Sequence, residues 1–425
     1  MYLTRRAMIK DGLLAVSAGM IMPPIFARAV RAAQNAADEG DRWAQAASGR
    51  TLIVVQMAGG NDGLNTVVPV DNPMYAQVRP HLALTRNDVT QLSGNGPYLH
   101  SALAPLHALW DGHKLAIVEG VGYEHSSLSH FQAMDVWQTL DLAGHGTSGW
   151  LGRYAAGLID KDGHPFQSLA IGTSLPMALQ SINVPVPVLA NPAQYRLQGD
   201  GGQRTTAGAT DPRIQALLNL YNTYPQSAPY AALLRPTAEN FVAGSTQLAS
   251  AASQYTPQAE YDPADGFAQG LKVLAEVIVN DLGLRVGYVT LGGFDTHSDQ
   301  TKRQADLLAK LAAGLAAFYQ DLSAHGKSQD VVVMTWSEFG RRVHENASQG
   351  TDHGTAAPMF VVGDAVNGGV FGAPPDLGDL DTNQNLKSPV DFRSVYATVL
   401  NWLGAPASTI LNGSFSGEGF LPAAS

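Results

Sequence analysis

The first sustained apolar run beyond residue 50 is Thr51-Leu-Ile-Val-Val-Gln-Met57. Its consecutive β-branched positions suit a strand buried on both faces rather than one with a wet side. Shorter runs of the same kind are Leu115 to Val118, Val286 to Leu291, Val331 to Thr335 and Met359 to Val362. Between them the period changes. Leu307, Leu311, Leu315, Phe318 and Leu322 recur by steps of three and four, which predicts an amphipathic helix from Gln304 to Leu322. Shorter helical patterns run from Phe131 to Thr139 and from Ile214 to Tyr221. Strands alternating with helices predict an α/β fold, a mostly parallel sheet covered on both sides in three αβα layers. The stretch from Pro185 to Tyr261 breaks this rhythm with Pro, Gln, Thr, Ala and Gly and few β runs. It reads as a helical or irregular cap inserted at about 185–261 into one main domain, 51–425.

The N-terminal end carries a different pattern. Thr4-Arg5-Arg6-Ala7-Met8-Ile9-Lys10 sets paired arginines before an apolar stretch from Gly12 to Met22, which Pro23-Pro24 ends. Ala27-Arg28-Ala29 then offers the small-x-small pattern of a cleavage site. We read residues 1–29 as a twin-arginine signal peptide and 30–50 as a linker. The expected partner is the twin-arginine translocase, the expected location periplasmic or secreted, with no stable membrane anchor after cleavage. That route carries folded proteins, so a metal can be inserted before export.

Composition narrows the chemistry. The 425 residues carry a net charge of −10, and cleavage after Ala29 would remove Arg5, Arg6, Lys10 and Arg28 against Asp11 alone. So acidic a chain lacks the electrostatic footprint for nucleic acid. With no cysteine, disulfides, thiolate metal sites and Cys nucleophiles are excluded. Any metal must sit on His, Asp and Glu.

Ligands of parallel α/β sheets bind beyond the carboxyl ends of the strands, and there the polar motifs gather. The first strand is followed by Ala58-Gly59-Gly60-Asn61-Asp62-Gly63-Leu64-Asn65, the second by Glu124-His125-Ser126-Ser127-Leu128-Ser129-His130-Phe131. Gly293-Phe294-Asp295-Thr296-His297 follows the third, Ser337-Glu338-Phe339-Gly340-Arg341 the fourth, and Thr351-Asp352-His353-Gly354 precedes the last. Each alone has an ordinary reading as a turn, a helix cap or a solvated ion pair. Together they bring carboxylates and imidazoles to successive strand edges, a donor set for Zn, Mn, Mg or Ca. A serine at a helix start lies beside free backbone N–H groups that favour an anionic ester.

With GGNDGLNTVVP (Gly59 to Pro69), SHF (Ser129 to Phe131), GGFDTH, SEFGRR and TDHGTAAPMF in view, the chain resembles the bacterial family of unknown function numbered 1501. That family is often twin-arginine exported and is placed in the alkaline phosphatase/sulfatase superfamily; the resemblance runs from Leu52 to about Leu403. It implies an alkaline phosphatase-like fold. It also implies that Asp62 binds one metal, that Ser126, Ser127 or Ser129 lies in the nucleophile region, and that Asp295 and His297 serve a second metal, at a spacing of one residue rather than three. The superfamily's Asp-His pair has two matches here: Asp352-His353, which would leave the final His missing, or, in the alignment we prefer, Glu338 and Phe339 after the fourth strand. In the preferred alignment Asp352-His353 supplies the final His, and the first metal position is one imidazole short. A single-metal or degenerate site, or a rescue by His130 or Asp352, follows from that alignment.

The expected function is an exported metal-dependent hydrolase of phosphate, less so sulfate, esters, acting on a small-molecule or polymer substrate. Ser127 or Ser129 attacks, with His130 also catalytic. Asp62, Asp295, His297, Glu338, Asp352 and His353 hold one or two ions, Zn or Mn ahead of Mg or Ca. Asn61, Asn65 and Arg341 bind the substrate. Sulfatases of the superfamily mature a Cys or Ser followed by Pro two residues on and Arg four on. No serine of this loop has them: Leu128 and His130 follow Ser126, Ser129 and Phe131 follow Ser127, and Phe131 and Ala133 follow Ser129. The alternative is a degenerate metal-binding or assembly protein of the same fold, for which Phe339 at a ligand position is the best support.

Overall fold

The computed structural model describes residues 49–158, 164, 166–181, 184, 186–190, 212–223, 244 and 246–423. The expected leader at 1–29 and almost all of the linker at 30–50 lie outside the described residues, as does much of the expected insertion. Within that insertion the helix expected from Ile214 to Tyr221 is present as Pro212–Asn222.

In chain order the strands are β1 (Thr51–Ala58), β2 (Val89–Gln91), β3 (Tyr98–His100), β4 (Leu115–Gly122), β5 (Ser168–Ile171), β6 (Val188–Leu189), β7 (Val286–Gly292), β8 (Val331–Trp336), β9 (Ala357–Val362), β10 (Gly369–Gly372) and β11 (Val390–Asp391). β2 and β3 form a small antiparallel pair. The others form one sheet in the order β10-β4-β9-β8-β1-β7-β5-β6, with β11 also on β4. Every pairing in it is parallel except those that β9 makes with β8 and β4.

Alternate residues of β1 feed two cores, as the period of two in a strand requires. Ile53, Val55 and Met57 join the core under helices Gly266–Val279 and Gln300–Ala324. Leu52 and Val54 join the core under His130–Thr139, Trp150–Gly157 and Phe392–Trp402. The chain is therefore a three-layer αβα protein with a mostly parallel sheet. Asp265 and Asp391 cap two of the helices by accepting from Phe267 N and Arg393 N, satisfying N–H groups that the first turn leaves free. Among the described residues no helix is long and apolar enough to cross a membrane.

Two departures from the sequence reading bear on the site. The long helix begins at Gln300, two turns before the first leucine of its pattern, because Gln300 and Gln304 are buried against polar partners rather than apolar ones. β9 runs against its neighbours, so its first residue, Ala357, lies at the edge where β1, β7 and β8 end. That reversal brings the segment carrying Asp352 and His353 to the same edge. The outer strands β5, β6, β10 and β11 span two to four residues each and are too short to give a readable run.

Leu315, fully buried on the long helix, tests the layer it anchors. Leu315→Ala should cost about 2–5 kcal/mol of unfolding free energy in a urea titration; a loss below about 1 kcal/mol would mean the helix does not pack there.

Candidate metal centre

The registers of β1 set the geometry. Ala58 lies opposite Gly292 of β7, and Gln56 opposite Trp336 of β8, so the loops that follow all three strands leave from one edge. The turn after β1 needs its glycines. Gly59 and Gly60 have φ of +121° and +83°, and a Cβ on Gly59 would stand 2.3 Å from Asp295 N, one on Gly60 2.5 Å from the Phe339 ring. Neighbouring loops hold the turn through its backbone: Gly59 N donates to Glu338 Oε1 (2.9 Å) and Asn61 N to Ser337 Oγ (2.9 Å).

Three imidazoles converge on one carboxylate beside this turn. Asp295 Oδ1 lies 3.0 Å from His297 Nε2, 3.1 Å from His353 Nε2 and 3.5 Å from His130 Nε2. The two nitrogens His297 Nε2 and His353 Nε2 are 2.9 Å apart. Ligand atoms of His130, Asp295 and His353 all lie within 4.8 Å of one another. His130 comes from the first turn of helix His130–Thr139, Asp295 and His297 from the loop after β7, and His353 from the segment before β9.

The far side of each ring is fixed. His130 Nδ1 is 2.7 Å from Glu338 Oε1, His297 Nδ1 is 3.2 Å from Asp352 Oδ1, and His353 Nδ1 is 2.7 Å from the Leu128 carbonyl. A carbonyl only accepts, so the His353 proton sits on Nδ1 and its Nε2 presents a lone pair. Carboxylates on the other two rings favour the same tautomer. Three lone pairs and an anionic oxygen then face one another, and His130 Nε2 is buried with no hydrogen-bond partner. Such a cluster needs a proton or a cation at its centre. Tetrahedral ligands about 2.0–2.1 Å from zinc lie roughly 3.3 Å apart, close to the 3.0–3.5 Å between Asp295 Oδ1 and each Nε2 atom. His130, Asp295 and His353 form a group that could hold a divalent metal ion, with His297 placed beside Asp295 and His353.

Electrostatics agree. Partial burial raises the cost of ionising Asp295, but the hydrogen bond from Arg341 and the Arg341 charge outweigh it and hold the carboxyl below its ordinary value. Burial pushes the His353 imidazole below its ordinary value, and a neutral ring is the ligating form.

The expected site residues divide into four groups. Asp295, His297 and His353 come together as metal candidates. His130, expected to act in catalysis or as a rescue, stands among the ligand candidates, packed against the rings of Phe339 and His353 at centroid distances of 4.8 and 4.4 Å. Phe339 thus walls the cluster, and His130 reaches it from another loop. Glu338 and Asp352, expected as ligands, instead hold the outer nitrogens of His130 and His297.

Asp62 departs furthest from expectation. It is fully buried, its Oδ2 and Oδ1 accept from Arg79 Nη1 (2.6 Å) and Nη2 (3.0 Å), and Gln300 Nε2 also donates to Oδ2. A carboxylate saturated by a guanidinium and an amide has no lone pair turned to the histidines. Asn61, Asn65 and Arg341, expected to bind substrate, also face inward. Asn61 Oδ1 accepts from Thr66 and Gln304, while Asn65 Oδ1 accepts from Tyr75 and Arg79. Arg341 donates to Gly59 O, Gly60 O (2.7 Å), Phe294 O (2.9 Å), Thr351 O (2.8 Å) and Asp295 Oδ1 (2.7 Å).

The serines lie on the loop that His353 grips at Leu128. Ser127 Oγ donates to Gln132 Oε1 (2.8 Å) and accepts from Ser129 N (3.2 Å). Ser129 is the N-cap of helix His130–Thr139, and its own hydroxyl makes no hydrogen bond to the helix. Sequence reasoning missed Arg79, Gln300 and Gln304; none sits in a motif, and only the packing brings them to the Asn61-Asp62 turn.

A family model described as "Protein of unknown function (DUF1501)" matches residues 116–417. No curated protein matches the chain. Solved structures align with it at low identity. The lipoteichoic acid synthase LtaP from Listeria monocytogenes is 12% identical over 88% of this chain and 76% of its own, with a TM-score of 0.36. The C-terminal periplasmic domain of EcEptC from Escherichia coli, in complex with Zn, is 11% identical over 76% and 75%, with a TM-score of 0.38. Ps i-CgsB in complex with k-i-k-neocarrahexaose is 11% identical over 86% and 75%, with a TM-score of 0.42. At these scores the likeness carries no argument for the activity of this chain.

Arg79→Ala leaves Asp62 charged, buried and unpaired, and should cost about 3–5 kcal/mol in denaturant unfolding. The metal content of the protein that remains folded should be unchanged. Loss of metal from a folded Arg79→Ala variant would instead make Asp62 part of the centre.

Proposed function

We propose, from the premise that this chain belongs to the DUF1501 family, that it is an exported hydrolase of phosphate esters with one divalent metal and an alkaline phosphatase-like arrangement. The observation that carries the reading is the convergence of His130, His297 and His353 Nε2 on Asp295 Oδ1 at the carboxyl edge of a mostly parallel sheet. Three imidazoles and one carboxylate favour zinc or manganese over magnesium or calcium. When bound, such an ion supplies Lewis-acid stabilisation to a phosphoryl oxygen.

The chain's own groups supply the rest. Ser129, at the start of a ten-residue helix, is the nucleophile we favour, because the Ser127 hydroxyl is committed to Gln132. The free N–H groups of that helix start suit the anionic ester. His130 is held through Nδ1 by Glu338, which orients it as a ligand rather than as a base. Sulfate esters fit less well, since no serine of the loop is followed by the Pro and Arg of the maturation signature. The arginine pair at Arg5-Arg6 supports twin-arginine export to the periplasm or beyond, and the region 185–261 is the part we assign to substrate choice. The acidic balance speaks against nucleic acid as partner.

A second reading, a metal-binding protein without turnover, is favoured by Asp62, whose carboxylate Arg79 occupies where a second metal ligand was expected.

Mass spectrometry of the purified mature protein should find about one zinc or manganese per chain. His353→Ala should strip it and His125→Ala should keep it. Glu338→Gln should retain the site but weaken metal affinity by about 10–100-fold. A wild-type protein that takes up none of Zn, Mn, Mg or Ca would refute the centre.

The two readings part in an ester assay. Hydrolysis of an aryl phosphate in preference to an aryl sulfate, reduced by about 10²-fold or more in Ser129→Ala with metal retained, is the expected result. Full metal occupancy with no turnover of either ester would favour the non-catalytic reading.

A further inference from the structure

Apart from the histidines, a cleft of about 220 Å³ opens between the end of β4, the segment Ala356–Pro358 and the proline-rich stretch Ala373–Pro375. Asp295 and the three histidines are not among its lining residues. Leu64, Val67, Pro358 and Pro389 give it apolar walls. Its volume lies below the range of about 300–1,000 Å³ typical of drug-sized ligands, so its occupant is compact.

One polar group in this cleft has no structural employment. Glu119 is 4% exposed and lines both this cleft and the adjoining hollow beside Val68 and Tyr98. Its Oε2 is buried with no hydrogen-bond partner. By contrast the buried carboxylates of Asp62, Asp321 and Glu338 each accept two or more hydrogen bonds. An uncompensated buried carboxylate is costly to a fold.

The backbone is shaped to put it there. β4 pairs with β9 through Val118 and again at Val121, so Glu119 and Gly120 fall in a bulge, a device that re-aims side chains. Gly120 has φ +71°, and a Cβ on it would meet Pro389 Cγ at 2.7 Å. Two more carboxylates, Asp376 and Asp379, line the cleft against one cation, Lys387, which Asp379 already binds at 2.5 Å. The excess charge is negative, which excludes an anion, and one buried carboxylate among prolines is no oxygen cage for calcium or magnesium.

We propose that this cleft binds a small organic cation, a primary ammonium on a compact apolar body, with Glu119 as its counter-ion. The ammonium gives the carboxylate the charge-assisted hydrogen bonds it lacks, and the apolar body lies against the prolines. Burial pushes the Glu119 carboxyl up to about 7. For an acid raised in this way, the stability it contributes is full below its ordinary value of 4.5 and is lost as pH rises through about 7. At pH 8 the ligand-free protein therefore carries an ionised, unpaired group.

The test is calorimetric titration of the full mature protein at pH 8 with cyclohexylammonium chloride, beside neutral cyclohexanol. We expect saturable binding of the ammonium, at least about tenfold tighter than the alcohol. Glu119→Gln should weaken it by about tenfold or more and should raise Tm at pH 8. A merely structural glutamate would give the second effect without the first. Ala373→Leu keeps the carboxylate and narrows the cleft, and should also weaken binding. No saturable binding of cyclohexylammonium, equal binding of cyclohexanol, or binding unchanged in both variants would overturn the proposal.

Discussion

A guanidinium with almost no access to solvent must place its N–H groups inside the protein, and Arg341 does so at the meeting point of four chain segments. Its donors reach the Gly59 and Gly60 carbonyls after β1, Phe294 O and Asp295 Oδ1 after β7, and Thr351 O before β9, while Arg341 itself follows β8. Its planar fork cannot turn without leaving a buried donor or acceptor unpaired. The position of Asp295, on which the three imidazoles converge, depends on that fork. Arg341 therefore acts as a strut for the centre; substrate was expected to meet it, but its donors are already taken.

A second buried guanidinium does comparable work a few residues away. Arg79 meets Asp62 through both terminal nitrogens and adds Asn65 Oδ1, Val343 O and Arg342 O. A carboxylate this deep needs a fixed positive charge, and here a side chain provides it. The edge of the sheet is thus divided between a half closed by an internal cation and a half where imidazole nitrogens gather around the Asp295 carboxylate. Among the described residues, only the second half offers a group that could hold a metal ion.

Much of the architecture was legible in the chain. The five β runs and the leucine pattern of the long helix exist because a strand buried on both faces must be apolar throughout, and a helix over a sheet on one side only. That Asp295, His297 and His353 would come together at one edge of the sheet was legible as well, because the loops that follow parallel strands leave from the same edge. Less visible was the exchange of roles between neighbours. Glu338 and Asp352 read as ligands as readily as the residues they support, since a carboxylate has the same letters in either shell. Phe339 suggested a missing imidazole because the aligned position is linear in sequence, whereas His130 enters from a loop some two hundred positions earlier.

The sequence by itself determined the layered α/β class, the strand edges and the donor chemistry, because these follow from periodicity and residue type, which are local. Only the tertiary structure decided which donors converge, which ones Arg79 and Arg341 claim, and that β9 runs backward to deliver His353. Those outcomes depend on distances between loops far apart in the chain. A buried charge goes to whichever partner the packing brings within reach, and nothing in the neighbouring residues records which partner that is.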